Sequence, residues 1–133
     1  MRKASAFVAA VVAVAVPVLA GAPAATATTT AYPTTLFGVY YDNSEYFGHI
    51  TWYNRSVTVS GGLTADGCRR VYGIAWAGTT PLDERSSSTH CNEEYTIQTL
   101  TLDADVPGGA DHVRINLTDA YGNILDYGYY YRP

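Results

Sequence analysis

Cys68-Arg69-Arg70-Val71-Tyr72-Gly73-Ile74-Ala75-Trp76-Ala77, followed by Gly78-Thr79-Thr80-Pro81 and closed by His90-Cys91, is the stretch on which the reading of this chain turns. Tyr72, Ile74 and Trp76 fall on one side of an extended chain and Val71, Gly73, Ala75 and Ala77 on the other, the two-residue period of a β-strand. Gly78 to Pro81 breaks that strand. The run Asp83-Glu84-Arg85-Ser86-Ser87-Ser88-Thr89-His90 is too polar to be buried on either side, so an exposed loop or a poor edge strand is expected there. Cys68 and Cys91 are the only two cysteines. If the two limbs fold back symmetrically, the reversal falls between Thr79 and Thr80, where the punctuation sits, and a Cys68–Cys91 disulfide spans it. Closing that loop contributes about 3 kcal/mol through the unfolded chain, against the ~5–15 kcal/mol of a typical small domain.

An oxidising compartment is also what the N-terminus implies. Met1-Arg2-Lys3 precedes an apolar run from Ala4 to Ala20, and small residues follow to Ala25-Thr26-Ala27. This is the pattern of a secretory signal peptide over 1–27, with cleavage expected after Ala27. The run is Ala- and Val-dominated, is interrupted by Pro17, and is short for a membrane span. The expected product is a secreted, extracellular protein with no membrane attachment once the signal is removed. Residues 28–133 then carry six arginines, no lysine and all twelve acidic residues, a net charge of −6. Nucleic acid and anionic membrane surfaces are poor partners for such a chain. One domain of 106 residues (133 − 27) provides a single modest core.

Working outward, Thr28 to Thr35 reads as a disordered lead-in and 36–133 as the domain. Leu36–Tyr41 and Tyr46–Tyr53 form a hairpin across Asp42-Asn43-Ser44-Glu45. Ser56–Ser60 is a strand that Gly61-Gly62 closes, and Leu63–Gly67 links it to Cys68. Tyr95–Leu102 has high β propensity, but its apolar parity changes between Ile97 and Leu100, which suggests a bulge or a change of sheet. Val113, Ile115 and Leu117 alternate cleanly with His112, Arg114 and Asn116. Across Asp119–Asn123, a symmetric register sets Leu117 opposite Leu125, Ile115 opposite Tyr127 and Val113 opposite Tyr129, so those tyrosines are expected inside and Tyr130 outside. No helical period of useful length follows residue 27. The fold expected is all-β, a small antiparallel sandwich of about seven strands with one disulfide, a small β-barrel being the alternative.

Motifs for chemistry are sparse. No nucleophile elbow, zinc-protease helix or phosphate loop occurs, and the run Ser86-Ser87-Ser88-Thr89-His90 reads as solvated loop in which neighbouring Ser and His seldom reach the geometry of a nucleophile and its base, so no catalytic residue is assigned and no enzyme is expected. Asp103, Asp105 and Asp111, on a loop bearing Gly108-Gly109, are candidate calcium ligands, although a plain turn with solvated acids explains them as well. No other cofactor is indicated. The compositional outlier is tyrosine, with twelve residues, all beyond residue 28. Large rigid aromatics suit contact with sugars or protein surfaces. The chain therefore reads as a secreted binding module for a protein or glycan, acting through Tyr40, Trp52, Tyr53, Arg55, Arg85 and Tyr130 or through the 78–90 loop. An alternative is an inhibitor of a secreted protease or glycosidase that inserts Arg85 into an acidic specificity pocket or fills a glycosidase cleft with Trp52, Tyr53 and Arg55.

Overall fold

The computed structural model describes residues 31–133, so the signal-peptide segment lies outside the described residues. Seven strands follow one another: β1 (Thr34–Tyr41), β2 (Ser44–Trp52), β3 (Ser56–Ala77), β4 (Thr80–Ser86), β5 (His90–Asp103), β6 (His112–Thr118) and β7 (Ile124–Tyr131). Every paired neighbour is antiparallel, and all seven belong to one sheet that curls until it is nearly closed, between the sandwich and the barrel that the sequence suggested. Among the described residues no helix is long and apolar enough to cross a membrane.

The organising element is β3, 22 residues long. Its first half lies between β2 and β5, and its second half, from Arg70, between β6 and β4. The expected break at Gly61-Gly62 does not occur. Those glycines are present for space: a Cβ on Gly61 would collide with the Phe47 carbonyl and the Phe37 ring, and one on Gly62 with the Tyr95 ring. The strand instead bends beyond them, with register shifts against β5 between Leu63 and Ala65 and between Ala65 and Cys68. Bulges of this kind bend and twist a strand, and here they turn its two halves toward each other.

Two fixtures hold the bend. Cys68 and Cys91 are bonded and sit directly opposite each other in the β3–β5 ladder. Ser44, at the start of β2, is buried (1% exposed). Its hydroxyl donates to the Asp66 carbonyl (3.2 Å) and accepts from the Asp66 N–H (2.9 Å) and Arg69 Nε (3.0 Å). One donor and two acceptors are all that a serine hydroxyl offers, so its capacity is saturated at the corner.

The folded-back halves enclose a core of Tyr46, Ile50, Trp52, Val57, Val59, Leu63, Leu100 and Leu102 from one side, with Val71, Ala75, Val113, Ile115 and Leu117 from the other. Burial raises the pKa of the Tyr46 phenol, whose O–H donates to the Gln98 carbonyl. The parity change read in β5 is no bulge. From Thr96 to Asp103 the register with β3 is constant, and Tyr95 and Ile97 are simply exposed apolar residues on the outer side. Irregularity lies earlier, where Asn92 and Tyr95 take positive φ.

β4 and β5 together return along one edge of β3. The Gly78-Thr79 turn falls one residue before the expected reversal, because a bulge at Ala75/Trp76 shifts the ladder. Nor is the lead-in loose up to Thr35: β1 begins at Thr34, Pro33 accepts a hydrogen bond from the Trp52 amide, and Tyr32 packs on Tyr53.

Side chains close the two open seams. On one, Asp83 Oδ2 accepts from the Asp103 amide (2.8 Å) and Arg85 pairs with Asp83 and Asp103. On the other, the Tyr130 hydroxyl donates to the Gly38 carbonyl (3.0 Å) and accepts from the Gly38 amide (3.3 Å), while Asp126 Oδ2 accepts from the Tyr40 amide (2.8 Å).

Ser44→Ala strands the Asp66 amide and carbonyl and the Arg69 guanidinium at a buried corner. Urea unfolding is expected to show a loss of about 2–3 kcal/mol with an unchanged m-value. A loss below 0.5 kcal/mol would show that the disulfide alone holds the bend.

Candidate functional site

Alternation along β3, β6 and β7 determines what the outer face of the second half presents. The ladder aligns Tyr72 with Asn116 and Tyr127, Ile74 with Arg114 and Tyr129, and Trp76 with His112 and Tyr131. The inner face carries the small or aliphatic Val71, Ala75, Val113, Ile115 and Leu117. Tyr127, Tyr129 and Tyr131 are 52%, 46% and 64% exposed on the outer face.

This reverses the tyrosine assignment made from sequence. The pairing Thr118↔Ile124 agrees with the expected register, but a shift between Leu117 and Thr118 leaves Leu125 unpaired and sets Leu117 opposite Asp126. From there Tyr130 faces inward and the odd-numbered tyrosines face out. The signal was present in sequence as the two-residue spacing of Tyr127, Tyr129 and Tyr131; only the bulge was illegible.

The rings on this face are held against one another. His112 stacks on Trp76 (centroids 5.9 Å, 9° between planes) and on Tyr131 (5.2 Å), and Tyr127 meets Tyr129 edge-on at 6.0 Å. The Arg114 guanidinium lies 4.4 Å from the Tyr127 ring centre and 5.5 Å from that of Tyr129, and Arg70 lies 5.2 Å from that of Tyr72. Arg114 Nε donates to Asn116 Oδ1 (2.9 Å), and Arg70 Nη2 to Ser86 Oγ (2.9 Å). Trp76 Nε1 is the one buried side-chain nitrogen or oxygen without a hydrogen-bond partner among the described residues. Leaving such a group unsatisfied costs about 1–3 kcal/mol, a local inconsistency of the kind that collects at functional sites.

Most of the residues singled out from sequence lie elsewhere. Trp52 is fully buried, its indole N–H donating to Thr35 Oγ1, and is core rather than contact surface. Tyr53 packs on Tyr32, and its carbonyl accepts from Arg132, which also binds the Ala110 and Gly108 carbonyls. Arg55 pairs with Asp105 at 2.9 Å and Arg85 with Asp83 and Asp103. Tyr130 fills the β1–β7 seam. Tyr40 is exposed and borders an apolar groove with Leu36, Gly38, Phe47, Gly48 and Tyr130 along the β1–β7 seam.

The three aspartates proposed for calcium are not brought together. Asp103 faces Arg85, Asp105 faces Arg55, and Asp111 accepts from the Gly78 amide and pairs with His112. No cluster of three or more potential metal ligands exists among the described residues. The Gly78 amide and then His112 hold the Asp111 carboxyl below the ordinary carboxylate pKa. At Asp83, partial desolvation pushes upward, but hydrogen bonds from the Asp103 amide, Arg85 and the Glu84 amide outweigh it, and the net shift is downward.

The Ser-His run set aside from sequence does bring a pair of side chains together. Ser88 Oγ lies 3.3 Å from His90 Nε2, and His90 Nδ1 lies 3.0 Å from Glu93 Oε1, the order of a nucleophile, base and acid. Ser88, however, stands exposed at the β4–β5 junction and lines neither the groove beside Tyr40 nor the acidic one formed by Asp66, Asn92, Glu93 and Glu94. Comparison with protein-family models, curated proteins and solved structures finds no match for the chain.

Two outcomes follow from this geometry. Tyr130→Phe, which removes only the hydroxyl from the seam, is expected to lower stability by about 1–2 kcal/mol in urea unfolding, while Tyr127→Ala stays within about 1 kcal/mol of the parent. Both lowered carboxyl pKa values stabilise the fold fully above the unfolded carboxylate value of about 4, and that stabilisation is lost as pH falls through the lower folded values. The melting temperature is therefore expected to hold between pH 7 and about 5 and to drop below about 4, with a shallower drop in Asp83→Asn.

Proposed function

We propose that this protein is a small secreted glycan-binding module whose binding surface is the outer face built from β3, β6 and β7. The observation that carries this reading is the row Tyr127, Tyr129 and Tyr131, three exposed rings on alternate positions of one strand. Alternate positions along a strand repeat every ~6.6–6.8 Å. Rings at that spacing form a rigid aromatic surface that costs little side-chain entropy on binding and suits contact with the apolar faces of sugars.

Secretion fits the disulfide and the N-terminal sequence. The inhibitor reading drew on Arg85, whose guanidinium is already committed to Asp83 and Asp103, or on Trp52, Tyr53 and Arg55, of which Trp52 is buried and Arg55 is paired with Asp105, so the geometry lends it no support.

The test is affinity electrophoresis of the secreted protein in gels containing individual soluble polysaccharides. At least one polysaccharide is expected to retard the protein. Retardation should weaken tenfold or more in Tyr129→Ala, equivalent to about 1.4 kcal/mol, and persist in Phe47→Ala on β2, outside the three-strand face. Retardation by none of them, or equal loss in Phe47→Ala, would count against this surface.

A further inference from the structure

We infer that the glycan bound by this face is acidic, a polysaccharide bearing uronate carboxylates, with Arg114 as the carboxylate receptor and Arg70 as a second cation. This rests on the glycan reading above and deepens it.

The distribution of charge carries the argument. Residues 28–133 contain twelve acids and six arginines, so acids outnumber arginines two to one. Arg55 and Arg85 have carboxylate partners, Arg69 is held by Ser44 and the Cys68 carbonyl at the bend, and Arg132 is spent on backbone carbonyls. Arg70 and Arg114 form no salt bridge among the described residues, and both lie on this face. The only acid that the strand register places there is Glu84, opposite Ile74 on β4. Asp111, at the rim, is engaged by the Gly78 amide and His112. An acidic protein thus presents a cationic island on its aromatic surface.

Local geometry makes Arg114 a receptor rather than a free charge. Its Nε bond to Asn116 fixes the plane, and Tyr127 and Tyr129 flank it. Nη1 has only a long contact with the Tyr129 hydroxyl (3.5 Å), and Nη2 donates to no protein acceptor among the described residues. The edge left available is the paired N–H fork that matches a planar carboxylate in two parallel hydrogen bonds. Rings beside it would take the sugar faces, so the same residue pair would read both the carboxylate and the ring that bears it.

The same gels provide the test, with polygalacturonate, alginate and hyaluronan as acidic probes, hydroxyethylcellulose as a neutral one and dextran sulfate as a non-carboxylate polyanion, in 20 mM and 150 mM salt. Retardation is expected with at least one uronate polymer and not with hydroxyethylcellulose. It should fall at least tenfold in Arg114→Gln, and Arg114→Lys, which keeps the charge but not the fork, should not restore it. Retardation by hydroxyethylcellulose that Tyr129→Ala removes and Arg114→Gln spares would overturn the acidic class while leaving the aromatic face in place. Retardation by dextran sulfate alone would mean general polyanion attraction and would also overturn it. No retardation by any polymer would remove both readings. Circular dichroism and melting of each variant establish that it is folded.

Discussion

The bend in β3 is the constraint on which the molecule depends. In a straight 22-residue strand the odd-numbered apolar residues of both halves would lie on one face, left in water. Bending it folds that face onto itself, and a bend midway along a strand leaves backbone groups out of register. Ser44 answers that need by binding the Asp66 amide and carbonyl and Arg69 through one hydroxyl, and Cys68–Cys91 fixes β5 to the same corner. With the corner set, the seams need only a few side chains, Asp83 and Arg85 on one side and Tyr130 and Asp126 on the other.

Sequence reasoning recovered what depends on period and pairing. The strand from Val71, the return that sets Cys68 opposite Cys91, the hairpin of β1 and β2, and the inward Val113, Ile115 and Leu117 were all legible, because alternation and turn residues encode them directly. What failed were single-residue events. An unpaired Leu125 inverted every tyrosine of β7, since a one-residue slip exchanges the faces of a strand. Gly61 and Gly62 looked like a stop, and their real role, yielding to the Phe47 carbonyl and the Tyr95 ring, depends on neighbours that sequence does not reveal. Trp52 and Tyr130 shared the composition of surface aromatics but not their location.

The two faces of the second half also show how one strand serves packing and display together. On β3 the larger residues Tyr72, Ile74 and Trp76 lie outside, and the smaller ones face in, where Gly73 admits Leu100 and Leu102: a Cβ there would lie 3.3 Å from both side chains. The core is thus filled from the opposite half, which frees the bulky residues for the surface. The same economy leaves Trp76 with an unmatched indole N–H beneath His112, a feature that packing alone does not call for.

The return of β4 and β5 along a single edge of β3 also governs the route to the native state. Ser56 and Asp103 are far apart in sequence, and closing that contact from an open chain would be slow. Because the pairs run in nearly one register from the Gly78 turn outward, each can form beside one already made, and the contact closes as the last step of a zipper. The β1–β2 and β6–β7 hairpins are local in sequence as well. A fold dominated by distant pairings is thereby assembled from three short-range nuclei, and the corner at Ser44 is where two of them meet.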